Sequence, residues 1–168
     1  MKKSYWISIL AIILGVVLDQ YTKILAVKHL KDAPIPIIEG VFELHYLENR
    51  GAAFGILQNQ QTFFLIMGII MLVAAAILIV QLPDIKRMIP LRACIVAISA
   101  GAIGNMIDRV RLNYVVDFLY FKLIDFPIFN VADIYVTVAA FSLVALIVFY
   151  YKEEEIDEFF DKLGWKKS

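Results

Sequence analysis

Three aspartates lie in the apolar segment VVDFLYFKLIDFPIFNVADIY, residues 115–135. A carboxylate beside so much apolar surface usually has a partner or a chemical task. Two aspartates in a dehydrated place share one proton, because both cannot easily ionise at close range. Such a pair supplies a base and an acid, which is what activating water against a peptide carbonyl requires. Asp117 and Asp133 could meet across a short excursion of the chain, whereas Asp125 has the setting of a turn residue.

Other polar residues interrupt the apolar sequence at regular spacings. Asp19 and Lys23 are four residues apart, which puts an acid and a base on one helix face. The alternative is an ordinary ion pair at a membrane boundary, with the lysine extended toward water. Gly101, Asn105 and Arg109 also recur every four residues. That spacing suits a functional site or close helix packing equally well.

Two further segments leave similar alternatives open. ENRGAAFG places Gly51 and two alanines next to Asn49, which suits tight packing or a bound extended peptide. Asn130 and Asp133 have the spacing of a helix N-cap and an acid at the third helical position.

Several other chemistries have no support in the sequence. His29 and His45 lack metal-ligand spacing, and Cys94, the only cysteine, sits in an apolar run where it suits packing. No serine has a histidine-and-acid setting, and neither a glycine-rich phosphate loop nor an HExxH motif occurs. We therefore predict no metal and no cofactor, and the net charge of zero gives no reason to expect nucleic acid.

The composition indicates an α-helical membrane protein. Hydrophobic residues make up 61% of the 168, and the mean hydropathy is +0.77. A bilayer core of roughly 30 Å needs about 20 helical residues. The sequence predicts one membrane-embedded domain over 1–168, with an uncleaved first helix and a cytoplasmic tail over 152–168. The predicted transmembrane helices cover about 5–27, 62–82, 92–108 and 133–151.

Connectivity places the polar residues together. Nine of the sixteen basic residues fall on the side of the two termini, which weakly favours a cytoplasmic location for both. With four spans, helix 1 ends, helix 2 begins, helix 3 ends and helix 4 begins at the outer face. Every polar group embedded in apolar sequence therefore gathers at one leaflet, and intramembrane ionisable residues are functional candidates.

Segments outside the spans predict smaller elements. GVFELHYLENR alternates apolar and polar residues as a half-buried strand does, and YVVDFLYF and DFPIF could add strands to it. In the tail, Ile156, Phe159, Phe160 and Leu163 have helical spacing, which indicates a short amphipathic helix or, alternatively, a solvated disordered tail.

These pieces together resemble the bacterial lipoprotein signal peptidases, the membrane aspartic peptidases also called signal peptidase II. Five pieces match in the family's order across nearly the whole chain: DQYTK at 19–23, NRGAAFG at 49–55, GAIGNMIDR at 101–109, VVDF at 115–118 and FNVAD at 129–133. One departure is Ser99-Ala100-Gly101, where family members often carry two glycines before the A-x-G-N stretch. Ala100 is still small, so the departure concerns local packing.

The resemblance implies four transmembrane helices with a small extracytoplasmic β cradle. It implies an endopeptidase that removes signal peptides from diacylglyceryl-modified prolipoproteins, on the amino side of the lipidated cysteine. Its catalytic dyad falls on Asp117 and Asp133. Its substrate-binding or supporting residues fall on Asp19, Lys23, Asn49, Gly51, Gly101, Asn105, Arg109 and Asn130.

The resemblance also implies the setting. The enzyme would lie in the bacterial cytoplasmic membrane with its active site at the outer leaflet, in contact with membrane lipids. Cyclic peptide inhibitors of the globomycin type would bind it. The oligomeric state and the identity of the prolipoproteins are not implied.

Two other functions compete with the peptidase. A proton-coupled transporter could use Asp19, Asp117 and Asp133 as a relay, but a relay needs polar residues across the full depth. The second predicted helix has none between Phe63 and Val80. A non-catalytic assembly factor would give no reason for two aspartates.

Overall fold

A computed structural model describes residues 3–51 and 57–162. Its five helices and three strands follow one another as α1 (Lys3–His29), β1 (Ile35–Ile38), β2 (Phe42–Asn49), α2 (Gln61–Gln81), α3 (Ile89–Leu112), β3 (Val115–Tyr120), α4 (Val131–Ala145) and α5 (Glu153–Lys162). Single 3₁₀ turns precede α3 at Lys86–Met88 and follow β3 at Lys122–Ile124. The chain therefore alternates long helices with the strands of one sheet.

In the described part of the chain, four helices are long and apolar enough to cross a membrane, as predicted: Ser4–His29, Gln61–Gln81, Lys86–Leu112 and Val131–Tyr150. Within the third span, α3 (Ile89–Leu112) is about a turn longer at each end than the 92–108 that the sequence indicated. Pro90 fits its first turn, where no intrahelical N–H bond is lost, and Asn113 ends it in the left-handed conformation, φ 63°. The fourth continues past α4 as a π-helical turn, Leu146–Tyr150.

The third helix is the centre of the bundle. Half of the most apolar 18-residue stretch of this helix is buried inside the protein, against 11–17% for the other three spans. Among the described helices, α3 is therefore the one that the others surround. It packs on α1, α2 and α4. A Cβ on Gly101 would lie 2.5 Å from the carbonyl oxygen of Ala132, so this glycine lets α4 approach closely. Ala100, which stands where family members often carry a glycine, faces Gly15 of α1, and the missing side chain of Gly15 leaves room for its methyl group.

A three-stranded antiparallel sheet in the order β1-β2-β3 covers one end of the bundle. Leu47 pairs with Asp117 and Asn49 with Val115, so Asn49 and Asp117 are diagonal neighbours across the two strands. Val116 and Phe118 of β3 are buried against Ala26 and Leu30 near the end of α1. This apolar contact fixes the sheet to the helices.

Two details of the sheet differ from the sequence prediction. β1, IPII, was not predicted, because all four residues are exposed and show no alternation. The predicted strand in DFPIF is wrong, since the residues there make only a single bridge, between Leu119 and Phe129. A proline in so short a segment has no N–H to donate to a ladder.

The opposite end of the bundle is closed by contacts with the tail. Arg87 makes two bonds of 3.0 Å to the carboxylate of Glu155 in α5, and its guanidinium lies 3.9 Å from the Tyr150 ring centroid. The tail is helical over Glu153–Lys162, as one of the two predicted alternatives has it. Of the predicted apolar face, only Ile156 has a described side chain. Those of Phe159, Phe160 and Leu163 lie outside the described part.

Candidate active site

Asp117 is held by the sheet and by the start of α4. It is 1% exposed, and each of its carboxylate oxygens accepts one amide bond. Asn49 of β2 donates to Oδ2 at 2.8 Å, and Asn130 donates to Oδ1 at 2.6 Å. The other end of the Asn49 side chain accepts from the backbone N–H of Gly51 at 2.9 Å. One asparagine thus orients Asp117 and the turn after β2 together.

Asp133 is held by a capping box at the start of α4. The Asn130 side chain accepts from the Asp133 N–H at 3.0 Å, and Asp133 Oδ2 accepts from the Asn130 N–H at 3.1 Å. Asp133 Oδ1 accepts from Nδ2 of Asn105 in α3 at 2.9 Å. The predicted N-cap is therefore present. Asn130 does more than cap, because its Nδ2 also reaches Asp117.

Asn130 and Asn105 connect the two aspartates into one network. Asn130 is fully buried and bonds both carboxylate residues, while Asn105 Oδ1 accepts from Asn130 at 3.1 Å. Amides suit this place, because each offers donors and an acceptor without adding a charge. The carboxylate pair and its orienting groups thus come from two strands, β2 and β3, and two helices, α3 and α4.

A buried charge cluster lies behind these amides. Lys23 Nζ lies 3.0 Å from Asp19 and 3.0 Å from Asp108, and donates to Asn105 Oδ1 at 2.8 Å. Its side chain is 3% exposed, so the alternative of a lysine extended toward water is wrong. Gln20 adds bonds to Asp19 and Asp108 at 3.2 and 2.9 Å. Buried charges are tolerated when they are paired and hydrogen-bonded in this way.

The charge cluster also holds the two backbone segments that carry Asp117 and Asp133. Asp19 accepts from the N–H of Ala132, next to Asp133, at 3.0 Å. Asp108 accepts from the N–H of Val116, next to Asp117, at 3.1 Å. Lys23 sits between these two carboxylates. The cluster therefore couples the position of β3 to the position of α4.

The environment of Asp117 favours its protonated form. Burial, and after it the nearby charge of Asp133, raise the pKa of Asp117 to about 7. The hydrogen bonds from Asn49 and Asn130 act in the opposite direction, because they stabilise the carboxylate. A group with this pKa can hold or release a proton near neutral pH.

Both aspartates open into one cavity of about 440 Å³. Asn49, Gly51, Asn105 and Arg109 share its polar wall with them, and the apolar wall is formed by Val115, 126–129, Ile134, Thr137 and Val138. Because Ile134 and Val138 belong to a membrane-spanning helix, the cavity runs from the sheet toward the lipid. Such a cavity suits a ligand with an apolar part and a polar backbone.

The predicted site residues fall into three positions. Asn49, Gly51, Asn105, Arg109, Asp117 and Asp133 line the cavity. Asp19, Lys23 and Asn130 lie behind it as hydrogen-bonding support, and Gly101 lies at the contact between α3 and α4. Asp125 is outside it, in the left-handed conformation of a turn, where it accepts from the Tyr120 hydroxyl at 2.6 Å.

Gln20 and Asp108 were missed as site residues. Both are polar residues in membrane-spanning helices, and this signal alone marks a functional candidate. Asp108 also lies three residues after Asn105, on the same face of α3.

Within residues 3–51 and 57–162, no three histidine, cysteine or acidic side chains are arranged to hold a metal ion. His29 and His45 are not part of the site, and Cys94 is buried in α3. The carboxylates at the site, which are the groups there that could ligate a metal, already accept hydrogen bonds from amides or backbone N–H groups or pair with Lys23.

Four apolar spanning helices, a small sheet and a buried carboxylate pair define a membrane enzyme, and solved structures agree. A bacterial membrane enzyme solved by the in meso method has a TM-score of 0.76 and 35% identity, covering 87% of this chain and 92% of its own. A second one has a TM-score of 0.74 and 33% identity, covering 86% and 94%.

Sequence comparison identifies the family. The family profile described as Signal peptidase (SPase) II matches residues 11–149. A lipoprotein signal peptidase of Clostridioides difficile (strain 630) is 46% identical over 143 residues, 84% of this chain and 95% of its own. One from Streptococcus pyogenes serotype M5 (strain Manfredo) is 40% identical over 156 residues, 92% and 98% of the two chains.

The chain belongs to the signal peptidase II family, the lipoprotein signal peptidases. Its activity is accordingly that of a membrane-embedded peptidase that removes signal peptides from prolipoproteins. The transporter and assembly-factor alternatives are thereby set aside.

Proposed function

We propose that Asp117 and Asp133 form the catalytic dyad of an aspartic endopeptidase. The observation that supports this most directly is that both carboxylates line one cavity and are joined through Asn130 and Asn105. Two carboxyl groups in such a setting share one proton, so one is available as a base and the other as an acid. The side chains that hold them are the amides of Asn49, Asn105 and Asn130, which do not titrate and so cannot take either role.

The proposed reaction is a hydrolysis that needs only water. The ionised aspartate takes a proton from a water molecule, whose oxygen forms a bond to the scissile carbonyl carbon. The protonated aspartate then gives its proton to the leaving nitrogen as the C–N bond breaks. The products are a carboxylic acid and an amine, which leave as a carboxylate and an ammonium after the acid's proton passes to the amine, and the dyad again holds one proton.

The substrate of the proposed reaction is a diacylglyceryl-modified prolipoprotein, cleaved on the amino side of the lipidated cysteine. The cavity suits this substrate because its polar wall faces the sheet and its apolar wall continues along α4 into the membrane. An extended peptide would reach the dyad while the acyl chains and the signal helix stay in hydrocarbon. Cyclic peptide inhibitors of the globomycin type would compete for the same cavity.

We also propose the placement of the enzyme in the cell. The four spans return the chain to its starting side, and nine basic residues lie there against seven on the other. Both termini would then be cytoplasmic, and the sheet and dyad would face the outer leaflet of the cytoplasmic membrane. The whole chain would act as one peptidase domain, with α5 on the cytoplasmic side.

Single variants of the three aspartates test the dyad. Asp117→Asn and Asp133→Asn keep size and polarity but cannot cycle between protonated and ionised forms. Each should lose about 10²-fold or more of prolipoprotein cleavage. Asp125→Asn changes an exposed turn residue and should remain near wild type. Cleavage of a purified diacylated prolipoprotein is measured by mass spectrometry, which also shows whether the mature product begins with the lipidated cysteine.

Folding of each variant is checked by its thermal unfolding in detergent. Wild-type turnover in either dyad variant would end the assignment. Selective loss in Asp125→Asn would mean that a different aspartate is catalytic.

A further inference from the structure

Arg109 lines the cavity without a charged partner. Among the residues that the structure describes, no carboxylate makes an ion pair with it. Within the part of the chain that the structure describes, its hydrogen bonds to the carbonyl oxygens of Asn105 and Gly51 are long, at 3.5 and 3.4 Å, and its buried Nε has no partner. An arginine in a membrane-spanning helix normally requires better compensation than this.

Besides the longer-range charges of Asp108, Asp117 and Asp133, compensation comes from an aromatic ring on α2. The guanidinium carbon of Arg109 lies over Phe64, 4.6 Å from the ring centroid, within the range of a cation–π interaction. Phe63 contacts Phe64 edge-on at 5.6 Å. Phe64 does not line the cavity, so it supports the guanidinium from outside the cavity wall.

A ring and a carboxylate would hold Arg109 in chemically different ways. A carboxylate binds the N–H edge of the guanidinium and occupies the donors that a ligand would need. A ring contacts the flat face, so the donors in the plane stay available. The structure uses the ring, and the cavity-lining guanidinium keeps unused hydrogen-bonding capacity.

We propose that Phe64 is a positioning residue for substrate binding, which orients the guanidinium of Arg109 so that its N–H donors bind a carbonyl oxygen of the substrate. This inference rests on the proposed peptidase function and deepens it. The carbonyl belongs to the extended peptide or to an acyl ester of the lipid, and both present the same acceptor. Phe64 itself does not touch the reacting atoms.

Three phenylalanine substitutions test the role of Phe64. Phe64→Leu keeps an apolar side chain but removes the ring, and it should raise KM for a diacylated prolipopeptide about 2- to 30-fold with kcat changed less than about twofold. Phe64→Trp keeps an aromatic face and should restore KM to near wild type. Phe141→Leu is the matched control, since Phe141 is a lipid-facing residue of α4 that is 74% exposed.

A binding cycle shows whether Phe64 acts through Arg109. Kd for a fluorescent diacylated prolipopeptide is measured in the Asp133→Asn protein, where cleavage should be slow enough for binding to reach equilibrium first. Phe64→Leu should weaken binding there, but should have less than about a twofold effect once Arg109→Gln is present. An equal effect of Phe64→Leu with and without Arg109→Gln would overturn the proposal, as would a loss of kcat with KM unchanged.

Two further comparisons show which carbonyl Arg109 binds, and separate a failure of this inference from a failure of the proposed function. If the KM effect of Phe64→Leu persists with an ether-linked lipid, the peptide supplies the carbonyl, and if it disappears, the ester does. A wild-type KM in Phe64→Leu beside inactive dyad variants would refute this inference alone. A wild-type protein that fails to cleave any prolipoprotein would refute the proposed function itself.

Discussion

At the scale of single residues, the proposed dyad depends on amides that stabilise the ionised form of its carboxylates. Burial and the charge of Asp133 raise the pKa of Asp117, and the 2.8 Å bond that Asn49 donates opposes them, so that the net pKa is about 7. The bond favours the ionised form, so it sets how readily the dyad gives up its shared proton as pH rises.

Replacing Asn49 should move the alkaline limb of the pH–rate profile. In Asn49→Ala the carboxylate loses a donor, the pKa of Asp117 rises further, and the dyad keeps its proton to higher pH. The alkaline limb of kcat/KM should shift upward by about half a unit to one unit, the equivalent of one hydrogen bond. The profile is recorded from pH 5 to 9, a range chosen to span about 7 on both sides.

The neighbouring Glu48→Gln serves as the control for that shift. Glu48 bonds Tyr46 and Arg50 rather than Asp117, so its replacement should leave the limb in place. A downward shift in Asn49→Ala would show that the hydrogen bond does not stabilise the carboxylate.

At the scale of elements, close approach of α1 to α3 is what allows the charge cluster to form. A Cβ on Gly104 would collide with the Asp19 carboxylate and lie 3.0 Å from its Cγ. Asp19 in turn holds Lys23 and the N–H of Ala132 at the start of α4. The missing side chain of Gly104 thus helps to place the start of α4, which carries Asp133.

Gly104→Ala should therefore reduce activity although alanine favours helix formation. The Asp19 carboxylate must move, which disturbs the start of α4, and a displacement of this kind costs on the order of 100-fold in rate. Gly68→Ala is the matched control, because its Cβ would meet only the flexible thioether of Met106. Prolipoprotein cleavage and unfolding temperature are compared for both variants. Full activity in Gly104→Ala would show that the position of Asp19 does not matter.

The elements themselves were largely predictable. Four apolar stretches predicted four helices, and the alternation in FELHYLEN predicted β2, because burial on one face leaves a periodic trace in the sequence. β1 has no such trace, since both of its faces are exposed. The proximity of Asp117 and Asp133 to a shared asparagine was not predictable, because it arises from β3 and α4 packing on α3.

The site residues show the same limit. Polar side chains in apolar sequence marked Asp19, Lys23 and Asn105 as candidates, but not which of them line the cavity. Phe64 carries no signal at all, because an aromatic residue in a membrane helix is ordinary until its contact with Arg109 is seen.

At the scale of the whole molecule, the two ends of the bundle have different tasks. The end with the sheet carries every residue of the proposed site. At the other end, Arg87 joins the turn between α2 and α3 to α5 through Glu155, Tyr150 and the hydroxyl of Tyr151, which donates to the Arg87 carbonyl at 3.1 Å. The partners of Arg87 in this contact lie beyond residue 149, where the family match ends, and at the opposite end of the bundle from the cavity. We therefore expect the contact to affect stability rather than catalysis.

Breaking the contact should lower stability and leave catalysis unchanged. Glu155→Gln keeps the shape but removes the charge, so the unfolding temperature at pH 7 should fall while kcat and KM stay within about twofold of wild type. The bond to Arg87 holds the pKa of Glu155 below its ordinary value, so its stabilisation is present above the unfolded pKa of roughly 4.3 and is lost as pH falls through the folded value. The unfolding temperatures of Glu155→Gln and wild type should accordingly converge at low pH. Glu154→Gln, a neighbour in the same helical turn, is the control. A change in kcat with normal stability would instead show that the two ends of the bundle are coupled through α4, and the separation of tasks would be wrong.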